Sequence, residues 1–257
     1  MVTLQEQFEK DFPNKNVGVI DITNKYLNSD FTNYDLDLRQ YWRLVFFKCC
    51  NNKITSLDIS WSVDLTELDC SFNNLASLRI NNCSNLTMLD CSFNNLTSAS
   101  FLNALPNPEK LKELLIFSNN IQPTDISIFS RFVNLKALKI GNVNGWGEKY
   151  NRFYGSLKAY QPLTKLSEIC IEATDVGEGL EYLPMSLAEA TRGGGEKVSK
   201  IGGVLECHPR NAQAKCKKIQ DRLRKFDYDL EAWQLAHPQK IYISYPEYFQ
   251  QPETRDK

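Results

Sequence analysis

Two aspartates, Asp69 and Asp90, hold the same place in two nearly identical stretches, LTELDCSFNNL (Leu65 to Leu75) and LTMLDCSFNNL (Leu86 to Leu96), which start 21 residues apart. Stacked as neighbouring strands, such carboxylates stand about 5 Å apart, the separation a retaining glycosidase uses for its acid and its nucleophile. Any two acids in that slot meet the same spacing, so the pair reads equally well as a repeated structural letter. The thiols offer less chemistry. Cys49, Cys70 and Cys91 recur every 21 residues in one slot, the usage of a small apolar core side chain and not of a disulfide framework. Cys50 is expected to face outward, and Cys170 stands between Glu168 and Glu172, whose charges raise a thiol pKa and blunt its reactivity. Both histidines, His208 and His237, fall far along the chain from these strands. Cys207, His208 and Cys216 match no standard zinc spacing and want a fourth ligand. The run GGGEKVSK is no phosphate loop, because Glu196 stands where GxxxxGK[ST] needs a glycine before Lys197. The residues therefore predict no cofactor, no metal and no enzyme activity.

What positions these side chains is a repeat. Each twin stretch fits LxxLxLxxNxL, the leucine-rich-repeat pattern, with cysteine in the sixth slot and Asn73 or Asn94 in the ninth. Laid out by their first apolar residue, units begin at Val17, Leu44, Leu65, Leu86, Leu111, Leu135, Leu166 and Leu187. The expected fold class is α/β: a leucine-rich-repeat solenoid of about eight coils with a curved parallel sheet on its concave side, closed by helices at both ends. Asn52, Asn73, Asn94 and Asn119 should form a ladder that satisfies backbone groups left unpaired where each coil turns. The unit after Leu135 is 31 residues long and becomes ordinary if Asn151 is its displaced ladder asparagine. Val143 to Tyr150 is then a rim insertion carrying Trp146 and Tyr150. Leu57 with Ile59, and Leu78 with Ile80, predict a second short strand in the central coils. PTDISIFSRFVN predicts a helical return in a later one, capped by Asp125.

The ends differ in character. Residues 1–16 read as an N-terminal cap, since Leu4, Phe8 and Phe12 form an i, i+4, i+8 stripe with Thr3 as N-cap and Pro13 beyond it. The solenoid occupies 17–192, a glycine-containing linker 193–210, an amphipathic C-terminal helix 211–238 and a flexible tail 239–257. The helix is drawn from Cys216, Ile219, Leu223, Phe226, Leu230 and Trp233, one apolar stripe. Basic residues before and within it read as a solvated face. With 257 residues and a formal net charge of -1, the chain has no global field for nucleic acid or membrane. Its start lacks the pattern of a signal peptide, and a cytoplasmic protein with reduced thiols is expected.

Three strings carry a closer likeness: YNRFYGSL (Tyr150 to Leu157), LEYLPMSL (Leu180 to Leu187) and YDLEAWQLAHP (Tyr228 to Pro238). They resemble a large family of fungal intracellular leucine-rich-repeat proteins, some of which carry the repeats beside a protein-kinase domain. The resemblance covers most of residues 1–238 and implies an intracellular repeat protein. The sequence departs from the pattern after Leu187, where Ala190 and Arg192 take slots that are usually apolar. It has no glycine-rich nucleotide loop, HRD or DFG string, so kinase activity does not carry over.

Strand alternation sends the fourth and sixth slots of each unit to the core and leaves the third, fifth, seventh and eighth on the concave face. That face would present Phe72, Phe93 and Phe117 as apolar anchors. Glu67, Asp69, Asp90 and Glu113, with Lys139 among them, would form a field for a basic partner, and Trp146 and Tyr150 would clamp from the rim. Because duplication copies side chains without selecting each copy, outward Asp and Phe also read as inherited letters. The expected function is non-catalytic: a recognition or scaffold module that binds a protein or peptide on its concave face in intracellular signalling. The alternative is a structural protein that self-associates, weakly, through its C-terminal helix; a carbohydrate-acting enzyme is the remotest reading.

Overall fold

The computed structural model describes residues 2–142, 150–171, 174–179, 182–184 and 187. Trp146, the eighth strand after Leu187, the 193–210 linker, the 211–238 helix, the tail, and Cys207, His208 and Cys216 lie outside the described residues. A single helix, α1 (Leu4–Asp11), precedes β1 (Val19–Asp21), β2 (Asp35–Asp37), β3 (Phe46–Lys48), β4 (Ser56–Asp58), β5 (Glu67–Asp69), β6 (Ser77–Arg79) and β7 (Met88–Asp90). Then follow β8 (Glu113–Leu115), β9 (Thr124–Asp125), β10 (Ala137–Lys139), β11 (Phe153–Ser156), β12 (Glu168–Cys170) and β13 (Asp175–Glu178).

Seven strands form one parallel sheet in the order β1-β3-β5-β7-β8-β10-β12, one from each coil that begins between Val17 and Leu166. Two three-stranded parallel sheets, β2-β4-β6 and β13-β11-β9, close the far side of the coils. This is a leucine-rich-repeat solenoid. The second strand predicted for the central coils is present as β4 and β6. The later return expected to be helical instead pairs β9 with β11 and follows it with a 3-10 turn, Ile126–Phe129, capped where Asp125 accepts from the Ser127 amide. Phe129 and Phe132 of that return are fully buried.

The core is a stack of columns. Slot four gives Ile20, Phe47, Leu68, Leu89, Leu114, Leu138 and Ile169, and slot six gives Ile22, Cys49, Cys70, Cys91, Ile116, Ile140 and Ile171, all at most 2 % exposed. Each such leucine or isoleucine contributes about 1.5–3 kcal/mol by leaving water. The asparagine ladder then closes the turns. Asn73 Nδ2 donates to the Cys49 carbonyl of the preceding coil at 2.9 Å, and its Oδ1 accepts from the Ile54 amide at 3.0 Å. Asn94 repeats this with Cys70 and Leu75, and Asn119 with Cys91 and Leu96. Asn151 does the same, donating to the Ile116 carbonyl at 2.8 Å and accepting from Ile121, so it is the ladder asparagine displaced by the insertion.

At the N-terminal end α1 covers the first coil. Thr3 and Glu6 form a reciprocal capping box, and Leu4 and Phe8 are buried, Phe8 with its ring edge-on to Tyr41 and Phe47. The first coil has Lys25 where the ladder has asparagine, and Lys25 pairs with Asp11 of the helix at 3.3 Å.

Candidate functional site

Strand register sets the solvent face of the large sheet. Along slot five, Asp21, Lys48, Asp69, Asp90, Leu115, Lys139 and Cys170 stand in one row. Along slot three run Val19, Phe46, Glu67, Met88, Glu113, Ala137 and Glu168. Asp69 and Asp90 are therefore neighbours, and both are engaged in the turn that follows their strands. Asp69 Oδ1 accepts from the Ser71 amide at 3.1 Å and its hydroxyl at 2.7 Å, and Asp90 Oδ1 accepts from the Ser92 amide at 2.9 Å. Asp21 caps Thr23 in the same way, and on the far side Asp37 caps Arg39 and Asp58 caps Ser60. The repeated aspartate is thus a turn-forming residue at each of these five strand ends. Burial raises the pKa of Asp90, opposed by its hydrogen bonds from Ser92, and the charge of Asp69 pushes it further up.

The turn itself runs through the left-handed region. Its slot-eight residues are Asn24, Asn51, Phe72, Phe93 and Ser118, with φ of 60°, 55°, 52°, 53° and 52°. Asparagine tolerates that conformation; phenylalanine, with its bulky side chain, does so at a cost. The ladder of amides holds them there: Phe72 N–H donates to the Ser92 carbonyl and Phe93 N–H to the Phe117 carbonyl, each at 3.0 Å. The rings are brought together in consequence. Phe72 stacks on Phe93 at 4.2 Å and 18°, and Phe93 meets Phe117 edge to face at 5.0 Å. Phe72 is 52 % exposed, while Phe93 and Phe117 are half-buried.

Of the remaining expected residues, Glu67 is half-buried and Glu113 exposed beside the aspartates. Lys139 is engaged with Glu168 at 2.8 Å, so its charge is partly spent inside the sheet. Tyr150 corrects its expectation: it is 8 % exposed, packed inward next to the ladder asparagine, and offers no clamp surface. Slot seven corrects another, since Ser71 and Ser92 are buried by the tight turn, whereas Thr23, Cys50 and Phe117 in that slot are half-buried. Three further aromatics are exposed: Trp42 at 44 % and Trp61 at 59 %, on the returns leading into the second and third coils, and Tyr154 at 44 %, on β11. Trp61 also has positive φ, and none of the three belongs to the repeat consensus.

The repeated slot-six thiols are structural. Cys49, Cys70 and Cys91 are fully buried, burial pushes their pKa values up, and Cys70 Sγ donates to the Asp90 carbonyl at 3.4 Å. Burial also raises the pKa of the half-buried Cys50, whose Sγ lies 3.3 Å from Thr23 Oγ1. Among the described residues no group of three or more His, Cys, Asp or Glu is placed to hold a metal ion, and no helix is long and apolar enough to cross a membrane.

Family models give no match to this chain, and curated proteins give none either. Among solved structures it is similar to the functional domain of InlJ from Listeria monocytogenes, described as including a cysteine ladder, with a TM-score of 0.45 at 25% identity over 65% of this chain and 35% of that one. It is also similar to an internalin, inlF, from the same organism, with a TM-score of 0.40 at 23% identity over 55% of this chain and 42% of that one. The chain spans less than half the length of either. Its fold follows from its own strand pairing and ladder.

Proposed function

We propose that this protein is a non-catalytic recognition module, cytoplasmic and intracellular like the fungal repeat proteins it resembles, which binds a protein or peptide along the phenylalanine stripe at the C-terminal edge of the large sheet. One observation carries the reading: two phenylalanines are kept in a left-handed conformation that asparagine fills in the first two coils. Backbone strain of this kind costs about 1–3 kcal/mol per residue and persists where it serves a site. Here it sets one ring half in water and stacks it on the next. Exposed, preorganised aromatic rings are the usual anchors of protein interfaces. Glu67 and Glu113 flank the stripe and favour a basic partner, whereas Asp69 and Asp90 are already committed to the turn.

The test compares the wild-type protein with a Phe72→Asn, Phe93→Asn variant as baits in the native cell, by proximity labelling and by pull-down. The proposal expects specific wild-type partners to be lost from the variant. Retention of every partner would remove the stripe as the binding site.

A further inference from the structure

The opposite edge of the large sheet, where the strands begin, holds a second feature. A groove of about 400 Å3 opens there between Lys110, Lys112, Lys136, Lys165, Glu109 and Asn134. Its volume is in the range of small-molecule sites. Four ammonium groups face one carboxylate, in a protein whose net charge is -1. Two of them are fixed by neutral acceptors. Lys110 Nζ donates to Asn85 Oδ1 and Lys165 Nζ to Asn134 Oδ1, each at 2.7 Å, and Asn134 Nδ2 donates in turn to the Glu109 carbonyl at 2.7 Å.

Lys112 and Lys136 are exposed, and among the described residues neither lies in an ion pair. The Lys136 amide donates to the Lys112 carbonyl at 2.7 Å, which fixes the two residues one coil apart, about 4.8 Å in a parallel sheet. Like charges so placed repel and destabilise the sheet that carries them. The arrangement leaves three positive charges uncompensated in a concavity, and a bound anion would offset them.

We propose that this groove binds a ligand with two phosphoryl groups about 5 Å apart, one over each of two neighbouring coils. Two phosphomonoesters carry about -3 to -4 between them near neutral pH, which matches the uncompensated charge. Lysine meets phosphate as a compact point charge from any direction and needs no planar fork. Asn134 lines the groove without adding charge, and its amide positions the Lys165 ammonium. Either a phosphorylated cyclitol or sugar, or a doubly phosphorylated peptide segment, supplies this chemistry.

Isothermal titration of the full chain separates the sources. The probes are a vicinal inositol bisphosphate and a peptide with two phosphoserines, in low-salt buffer. Saturable binding of one or both is expected, and the tighter of the two names the source. In Lys112→Glu, Lys136→Glu, whose exposed positions leave the thermal midpoint in place, affinity should fall by about tenfold or more. A control, Lys48→Glu, Lys53→Glu, changes net charge equally away from the groove and should weaken binding by less than about threefold. No binding of either probe at millimolar concentration, or an equal loss in both variants, overturns the proposal. Because the phenylalanine stripe is untouched in these variants, failure here leaves the partner reading intact, and the reverse holds.

Discussion

Replacing Phe72 by asparagine is expected to leave the protein more stable than replacing it by alanine, although both variants lose the ring. Phe72 has φ of 52° and is 52 % exposed, so truncation costs little burial. Both variants give up the stacking on Phe93 at 4.2 Å, about 0.5–1.5 kcal/mol beyond area. They differ in the backbone. Alanine keeps a Cβ in the left-handed region with nothing in return, whereas asparagine occurs there several-fold more readily, a preference of about 0.6–1 kcal/mol. In a chain of this size each kcal/mol moves the thermal midpoint by about 2–4 °C. Circular-dichroism melts of the two variants should therefore differ by about 2 °C in favour of asparagine. A glycine variant should show the same relief, less the added freedom of its unfolded chain. Under the proposed reading, in which the ring is the anchor, partner affinity should fall alike in all of them. If alanine melted at or above asparagine, the phenylalanine would not be held at a backbone cost, and the main support for the binding stripe would go with it.

Three further outcomes are expected. Asn94→Ala removes a side chain that donates to the Cys70 and Cys91 carbonyls and accepts from the Leu75 amide, leaving buried polar groups unpaired; a loss of roughly 3–5 kcal/mol should appear in urea denaturation. Asp90 and Asp21 should respond oppositely to neutralisation. Burial raises the folded pKa of Asp90, so its contribution is complete below the unfolded value of about 3.9 and is lost as pH rises through the folded value; Asp90→Asn, which keeps an acceptor for Ser92, should be more stable than wild type at neutral pH, the gap closing on acidification. Hydrogen bonds from Thr23 lower the folded pKa of Asp21, so its contribution is present above that unfolded value and is lost as pH falls through the folded one; Asp21→Asn should be less stable at neutral pH and converge in acid. In a thiol-titration time course, Cys50 and Cys170 should react before Cys49, Cys70 and Cys91, which react only on unfolding.

Much of the solenoid was legible because its period writes each core residue several times over. Slots one, four, six and nine are fixed by burial or by unpaired backbone groups, so even Asn151 could be placed from the length of its unit alone, and its bonds to Ile116 and Ile121 agree. The returns were harder to read. They bury apolar residues without a period, and a stretch such as Thr124 to Phe132 satisfies a helical pattern while its first two residues pair with a neighbouring strand. Tyr150 was misplaced for a related reason: an insertion reads as exposed from its glycines, and nothing in its letters says that the last residue turns inward. The lysine groove was invisible because its members sit just outside the consensus, on either side of its first leucine. It becomes a site only when successive coils are laid beside one another.

The aspartates and phenylalanines of the twin repeats looked alike in the sequence, since duplication had copied both, and the turn geometry now separates them. An aspartate that accepts from the amide two residues on lowers the free energy of the turn, and the same bond occurs on the far side of the coils, at Asp37 and Asp58, where no common surface is shared with Asp69. Its repetition is accounted for by folding alone. Phenylalanine in slot eight does the reverse: it raises the free energy of the turn, and a copied residue that costs stability would be expected to drift towards the asparagine or serine found at the same place in coils one, two and five. Copying explains how the second ring arose. It does not explain why two adjacent turns carry a residue that their own backbone disfavours, and it is on that residual cost, rather than on exposure or repetition, that the proposed binding stripe at Phe72 and Phe93 rests.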